Sequence, residues 1–162
     1  MLASHVSLRS HHTFGVEVQA RWWKTLTHET EALEFLMDNV GHLGPRLILG
    51  GGSNVLFLAD FPGLVLHNAI LGKRVVEESE TSVWLEVGAG EDWHDLVQYC
   101  LSRDWGGIEN LSLIPGKVGA APIQNIGAYG IELEEVFAYL EALNLETGQI
   151  HTFSRASCQF GY

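Results

Sequence analysis

The sequence predicts an α+β fold in two small lobes. Short segments with a two-residue apolar period recur along the chain, while only two stretches of any length carry a helical period. Glycine clusters at 50–52, 88–90 and 106–107 punctuate those segments. A length of 162 residues suits one ordinary domain or two small lobes.

Hydrophobic residues make up 46% of the chain and charged residues 18%, the balance of a globular protein rather than a disordered one. No apolar run reaches the ~18–20 residues that cross a bilayer. The opening MLASHVSLRSHHTFG lacks the apolar core of a signal peptide. A cytoplasmic protein without a membrane partner is expected. The formal net charge of −11 argues against nucleic acid as a partner. It leaves phosphate ligands open, because glycine loops bind phosphate through backbone N–H groups. Cys100 and Cys158 are the only cysteines and are expected as free thiols, Cys100 in the core.

In the first lobe, residues 1–15 are polar. His11 and His12 are adjacent and have no i, i+4 partner, which is poor geometry for a metal. Val16, Val18, Ala20, Trp22 and Leu26 lie at even spacing, so 16–26 reads as a strand. Residues 27–40 read as a helix capped by Thr27 or Thr30, with Ala32, Leu33, Leu36, Met37 and Val40 on one face. Gly41, Gly44 and Pro45 end it. LILGGGSNVLFL, residues 47–58, reads as a buried strand, a glycine turn and a second buried strand. A further strand covers 64–67 after the Pro62-Gly63 turn, so the lobe runs strand, helix, strand, strand, strand.

In the second lobe, strands are expected at 73–79 and 82–87. Gly88-Ala89-Gly90 leads into a helix from Asp92 to Ser102 whose buried face is Trp93, Leu96, Val97, Cys100 and Leu101. The strand–GAG–helix unit imitates a dinucleotide fingerprint, and Glu109 lies near the spacing of a ribose-binding acid. Trp93, however, stands where a third glycine would let helix and strand pack closely, so a tight structural turn is the better reading. Residues 106–130, GGIENLSLIPGKVGAAPIQNIGAYG, form a long stretch of small residues with almost no charge. Residues 135–145 alternate as a long strand, paired through Glu146-Thr147-Gly148 with 149–153. Ser154 caps a short helical turn through Cys158. The aromatic end, Phe160-Gly161-Tyr162, is unlike a native terminus and reads as cut.

Two glycine-rich segments are the candidate site. Gly50, Gly51 and Gly52 carry no Cβ, and Ser53 and Asn54 add short polar groups. Successive N–H groups in such a turn make a concave anion site, and a tight hairpin is the plain alternative. In 106–130, the small residues let a flat ligand lie on the backbone, while Ser112, Gln124, Asn125 and Tyr129 can direct hydrogen bonds. A close-packed connector is the plain alternative. The recognised metal, nucleotide-triphosphate and nucleophile motifs are absent. His94 reads as a surface or capping residue, and Ser53 has no base beside it.

HTFG within 11–15, LILGGGSNVLFL at 47–58, VGAGEDWH at 87–94, GIENLSLIPGKVGAAPIQNIGAYG at 107–130 and CQFGY at 158–162 resemble the UDP-N-acetylenolpyruvoylglucosamine reductases, also called UDP-N-acetylmuramate dehydrogenases. The GGGSN loop alone is shared more widely among flavin oxidases of the PCMH-like type. The resemblance implies a bacterial enzyme of peptidoglycan precursor synthesis, with non-covalent FAD and with NADPH as co-substrate. The substrate is a UDP-linked enolpyruvyl sugar. The fold implied is a two-lobed FAD-binding domain, 1–69 and 70–162, with FAD between the lobes and a further domain closing over the sugar. Gly50, Gly51, Gly52, Ser53 and Asn54 match the loop that holds the FAD pyrophosphate. Pro115, Gly116, Gly119, Ala120 and Ala121, with Asn125, Gly127, Ala128 and Tyr129, match the segment that lines the flavin and its ribityl–phosphate chain.

The family's catalytic arginine directly follows FGY, and its catalytic serine and glutamate come later still. No catalytic residue is therefore assigned in these 162 residues, and no metal ligand. The expectation is a monomeric FAD-binding portion whose second lobe is truncated, with weak flavin binding and no turnover of its own. A non-catalytic flavin- or nucleotide-binding fragment is the alternative.

Overall fold

A computed structural model describes residues 1–37 and 40–161. The chain divides into two compact units, with the boundary between Ile70 and Leu71.

The first unit contains β1 (Ala3–Ser7), β2 (Gln19–Leu26), α1 (Glu29–Met37), β3 (Arg46–Leu49) and β4 (Phe61–Asn68). They form a four-stranded sheet in the order β1-β2-β4-β3. β1 runs antiparallel to β2, whereas β2 and β3 flank β4 in parallel. Parallel strands need crossover connections, and α1 lies in the one from β2 to β3, which leaves the place between them for β4. β4 occupies the interior because Leu64, Val65 and Leu66 are apolar without alternation, and all three are fully buried. The core adds Leu8, Val18, Ala20, Trp23, Leu49 and Phe57.

The ends of α1 are set by charge and capping. Glu29 and Glu31 sit in its first turn, where the helix dipole favours anions. Glu31 also accepts hydrogen bonds from the buried Lys24 ammonium and from Thr27 N–H. The Lys24 hydrogen bond, followed by the two from Thr27, holds the Glu31 carboxyl down at about 2. Ala32 is buried and Leu33 half-buried, as the helical spacing expects. The side chains of Leu36, Met37 and Val40, and residues 38 and 39, lie outside the described part.

The structure differs from sequence expectation at two places in this unit. β1 lies where no strand is expected, because ASHVS carries no apolar period and is an edge strand with little burial. Residues 55–58 form no strand. Their alternation is real, with Val55 half-buried, Phe57 buried and Leu56 and Leu58 exposed, but no ladder partner accompanies it.

The second unit contains β5 (Lys73–Glu78), β6 (Val83–Val87), α2 (Trp93–Leu101), β7 (Gly127–Ala128), β8 (Ile131–Glu132), β9 (Tyr139–Leu143), β10 (Ile150–Ser154) and α3 (Arg155–Cys158). β5 pairs with β6, β7 with β8 and β9 with β10, each antiparallel. The core is built on α2: Trp93, Leu96, Val97 and Cys100 pack with Leu111, Ala121, Ile126 and Leu133. Burial pushes the Cys100 thiol up. Leu101, expected on this face, is exposed instead, since the core-facing stripe ends at Cys100. The long strand expected over 135–145 shrinks to Tyr139–Leu143. A 3-10 turn at Leu133–Glu135, closed by a capping box between Glu132 and Glu135, takes the residues before it. Ser154 caps α3 by accepting the Ser157 N–H, as expected. No described helix is long and apolar enough to cross a membrane.

Candidate functional site

The glycine loop of the first unit starts where β3 ends at Leu49, which is buried. Gly52 is the constrained member. It has φ +64, and a Cβ added there would fall 2.1 Å from the His11 carbonyl oxygen and 2.7 Å from His12 Cα. Thr13 N–H donates to the Gly52 carbonyl at 3.2 Å. The HHTFG and GGGSN motifs, forty residues apart, are therefore one packed unit. Gly51 is exposed. Gly52 is buried. Ser53 and Asn54 are engaged within the protein.

Beneath this loop, His12 is buried, and its ring meets Phe57 edge-on at 5.2 Å. Its Nε2–H donates to the Val16 carbonyl at 3.1 Å, and Nδ1 has no hydrogen-bond partner among the described residues. Among those residues, no group of three or more His, Cys, Asp or Glu side chains could hold a metal ion.

In the second unit, VGAGEDWH and the 111–120 segment are stitched together in the same way. Gly119 N–H donates to the Ala89 carbonyl at 2.9 Å, and Val118 N–H to the Glu91 carbonyl at 3.0 Å. Trp93 N–H donates to the Gly116 carbonyl at 3.1 Å, and the Trp93 indole N–H to the Leu111 carbonyl at 2.8 Å. Gly119 must lack a side chain, since a Cβ there would sit 2.5 Å from that of Ala89. Asp92 caps α2 by accepting the His94 and Asp95 N–H groups, and it pairs with Lys117 at 3.7 Å.

Glu91 anchors the base of this turn. Its carboxylate accepts from Gly72 N–H at 2.9 Å and from the Lys73 ammonium. The Lys73 hydrogen bond, with help from Gly72 N–H, holds the Glu91 carboxyl below the usual carboxylate range. The strand–GAG–helix unit is thus a tight structural turn. Among the described residues β6 pairs only with antiparallel β5, which is not the parallel unit of a dinucleotide site. Glu109 accepts the Gly107 N–H at 2.5 Å, so its carboxylate orders its own turn.

Residues 106–130 combine 3-10 turns at Glu109–Leu111 and Val118–Gln124 with three non-glycine residues at positive φ: Leu113 (+63), Asn125 (+42) and Tyr129 (+54). Leu113 is 76% exposed and Tyr129 90% exposed. Large side chains in the left-handed region cost energy and persist where the surroundings over-determine them, often at ligand sites. Gly119, Ala120, Gly127 and Tyr129 are exposed, with Gly116 and Ala128 half-buried. Ala121 and Asn125 are buried. The Asn125 carboxamide donates to Glu132 at 2.7 Å and accepts Glu134 N–H at 3.1 Å, so that side chain braces the segment from behind.

Sequence reasoning did not foresee His94. It is half-buried rather than a surface group. Its Nδ1 accepts the Leu113 N–H at 3.3 Å and meets the Ser112 hydroxyl at 3.1 Å. Nothing local in the sequence links residues 18 and 19 positions apart.

The family model described as "FAD binding domain" matches residues 26–154, well over half of the chain. The chain belongs to the FAD-binding domain family. The five motifs' resemblance to the reductases is borne out as well. The UDP-N-acetylenolpyruvoylglucosamine reductase of Amoebophilus asiaticus is 47% identical over 161 residues, covering 99% of this chain and 48% of that protein. The one of Pseudomonas syringae pv. tomato is 50% identical over 159 residues, covering 98% of this chain and 47% of that protein. The crystal structure of UDP-N-acetylenolpyruvylglucosamine reductase from Thermus caldophilus superposes with a TM-score of 0.76 at 25% identity. It covers 100% of this chain and 56% of that one. The chain spans about half the length of the curated relatives it matches. The FAD-binding domain family implies FAD, and the loops fit it. The first unit offers exposed Gly51 on a loop whose glycines carry no side chain, and the second offers an exposed small-residue surface beside Tyr129 at positive φ.

Proposed function

We propose that this chain is the FAD-binding portion of a reductase that uses NADPH to reduce UDP-N-acetylglucosamine enolpyruvate to UDP-N-acetylmuramate for peptidoglycan synthesis. The observation that carries the reading is the near-complete match of the chain to reductases so named, with 47% identity over 99% of its length. The mutual packing of the motif pairs supports it, because each pair forms one rigid backbone surface. The first lobe would be 1–69 and the second 70–162, one residue short of the boundary between the two compact units.

Bound FAD would supply two-electron redox chemistry. The residues of this chain bind and orient it. The N–H groups of Gly50, Gly51 and Gly52, with Ser53 and Asn54, would hold the pyrophosphate, since pre-arranged backbone donors take an anion without a cationic side chain. Pro115, Gly116, Gly119, Ala120 and Ala121, with Asn125, Gly127, Ala128 and Tyr129, would line the flavin and its ribityl chain. Absence of bulk there lets a planar ring approach the backbone. The net charge of −11 supports a partner set without nucleic acid; the partner would be a small-molecule UDP-sugar, and the protein a cytoplasmic monomer with no membrane partner.

The 162 residues would retain flavin without turnover. The test is NADPH oxidation dependent on the enolpyruvyl UDP-sugar, with flavin content measured on the same sample. Bound flavin with no sugar-dependent oxidation is the expected result. Robust turnover would overturn the assignment of chemistry to residues outside this chain, and a folded but flavin-free chain would overturn the binding assignment.

A further inference from the structure

In the second unit, two consecutive residues of α2 grip three consecutive residues of the 106–130 segment. Trp93 holds the Leu111 carbonyl, and His94 holds Ser112 and Leu113. The chemistry at His94 is unambiguous. A backbone N–H can only donate, so Nδ1, which receives the Leu113 N–H, carries no proton. The Ser112 hydroxyl, 3.1 Å from the same nitrogen, shares that one lone pair with Leu113 N–H, and the ring proton sits on Nε2. The fold has fixed one tautomer.

What those bonds hold is an unfavourable turn. Leu113 has φ +63, yet its side chain is 76% exposed, so packing of that side chain does not stabilise the conformation. Leu111, two residues earlier, is fully buried against α2. The Leu113 N–H bond to His94 is a polar contact on that left-handed backbone.

We propose that His94 is a positioning residue, which latches the Ser112–Leu113 turn in the shape that FAD binding requires. The inference rests on the reading of 106–130 as the cofactor-lining segment. The latch needs an acceptor at the Nδ1 position and makes no use of the Nε2 proton. Asparagine places an oxygen near Nδ1, glutamine places its polar end near Nε2, and alanine removes both.

The test is FAD titration, followed by flavin fluorescence, of the unmodified chain and of H94A, H94Q and H94N. Melting temperatures of the flavin-free proteins report folding. Loss of the one acceptor that Leu113 N–H and the Ser112 hydroxyl share, at the upper end of ordinary hydrogen-bond strength, weakens FAD binding about tenfold in H94A and H94Q, whereas H94N stays within about threefold of the unmodified chain. Nitrogen-15 NMR of His94 in the flavin-free chain should show a protonated Nε2 and a bare Nδ1. Unchanged affinity in H94A overturns the latch. An H94N affinity as weak as that of H94A also overturns it, because the imidazole itself would then be the binding group. If H94A does not fold, H94N against H94Q decides the same question. An unmodified chain that folds but takes up no FAD overturns the reading on which the inference rests, and a wrong tautomer with intact FAD binding overturns the latch alone.

Discussion

Alanine at Gly52, compared with alanine at Gly15, separates a backbone preference from a close contact. The two glycines have nearly the same φ, +64 and +62. In both, alanine must enter the left-handed region at a cost of about 1–2 kcal/mol. At Gly15 nothing lies within 4 Å of the added methyl. At Gly52 the methyl would meet the His11 carbonyl oxygen at 2.1 Å and the His12 backbone at 2.7 Å, both far inside contact distance. The 11–13 segment must then move off the loop, which breaks the Thr13–Gly52 hydrogen bond and disturbs buried His12. Overpacking and the lost bond add about 2–3 kcal/mol to the conformational cost, for a total of about 3–5 kcal/mol in G52A against about 1–2 in G15A. Urea unfolding followed by far-ultraviolet circular dichroism measures both. Equal destabilisation of the two variants would refute the packing of HHTFG on GGGSN.

Three further outcomes follow from particular contacts. G51V, on an exposed glycine, should abolish flavin retention while leaving the melting temperature nearly unchanged; retention of flavin would return the loop to a plain turn. W93F removes the indole donor from the buried Leu111 carbonyl and should cost about 1–3 kcal/mol in urea unfolding; unchanged stability would remove that bond from the account. Glu31 titrates at about 2 in the folded chain against an ordinary 4.5, held down first by Lys24. The folded value is the lower one, so this stabilisation is complete above the ordinary value and lost as pH falls from there toward about 2. E31Q should therefore flatten the fall of melting temperature across that acid window, and an unchanged slope would remove Glu31 from the account.

Much of the fold was legible because its elements carry strong periods. β2, β5, β6 and α2 lie close to where alternation and helical spacing put them, and Asp92 and Ser154 cap as their side chains suggest. The failures share a cause: local pattern does not report the partner. Phe57 and Val55 alternate with Leu56 and Leu58, but a strand needs a neighbour, and none is there among the described residues. β1 has a neighbour, β2, but no period to betray it. The two glycine segments stood out by composition. Their pairing with HHTFG and VGAGEDWH did not, because it depends on contacts such as Gly52 with His11 and Gly119 with Ala89. His94 was read as a surface or capping residue for the same reason, since its partners Ser112 and Leu113 are distant in sequence.

Titration of FAD into the purified chain tests the central claim most directly. One FAD per chain should bind saturably, with quenched flavin fluorescence and a shifted absorption band, and G51V should abolish both. A chain that is folded by circular dichroism yet leaves the FAD spectrum and fluorescence unchanged would contradict the claim.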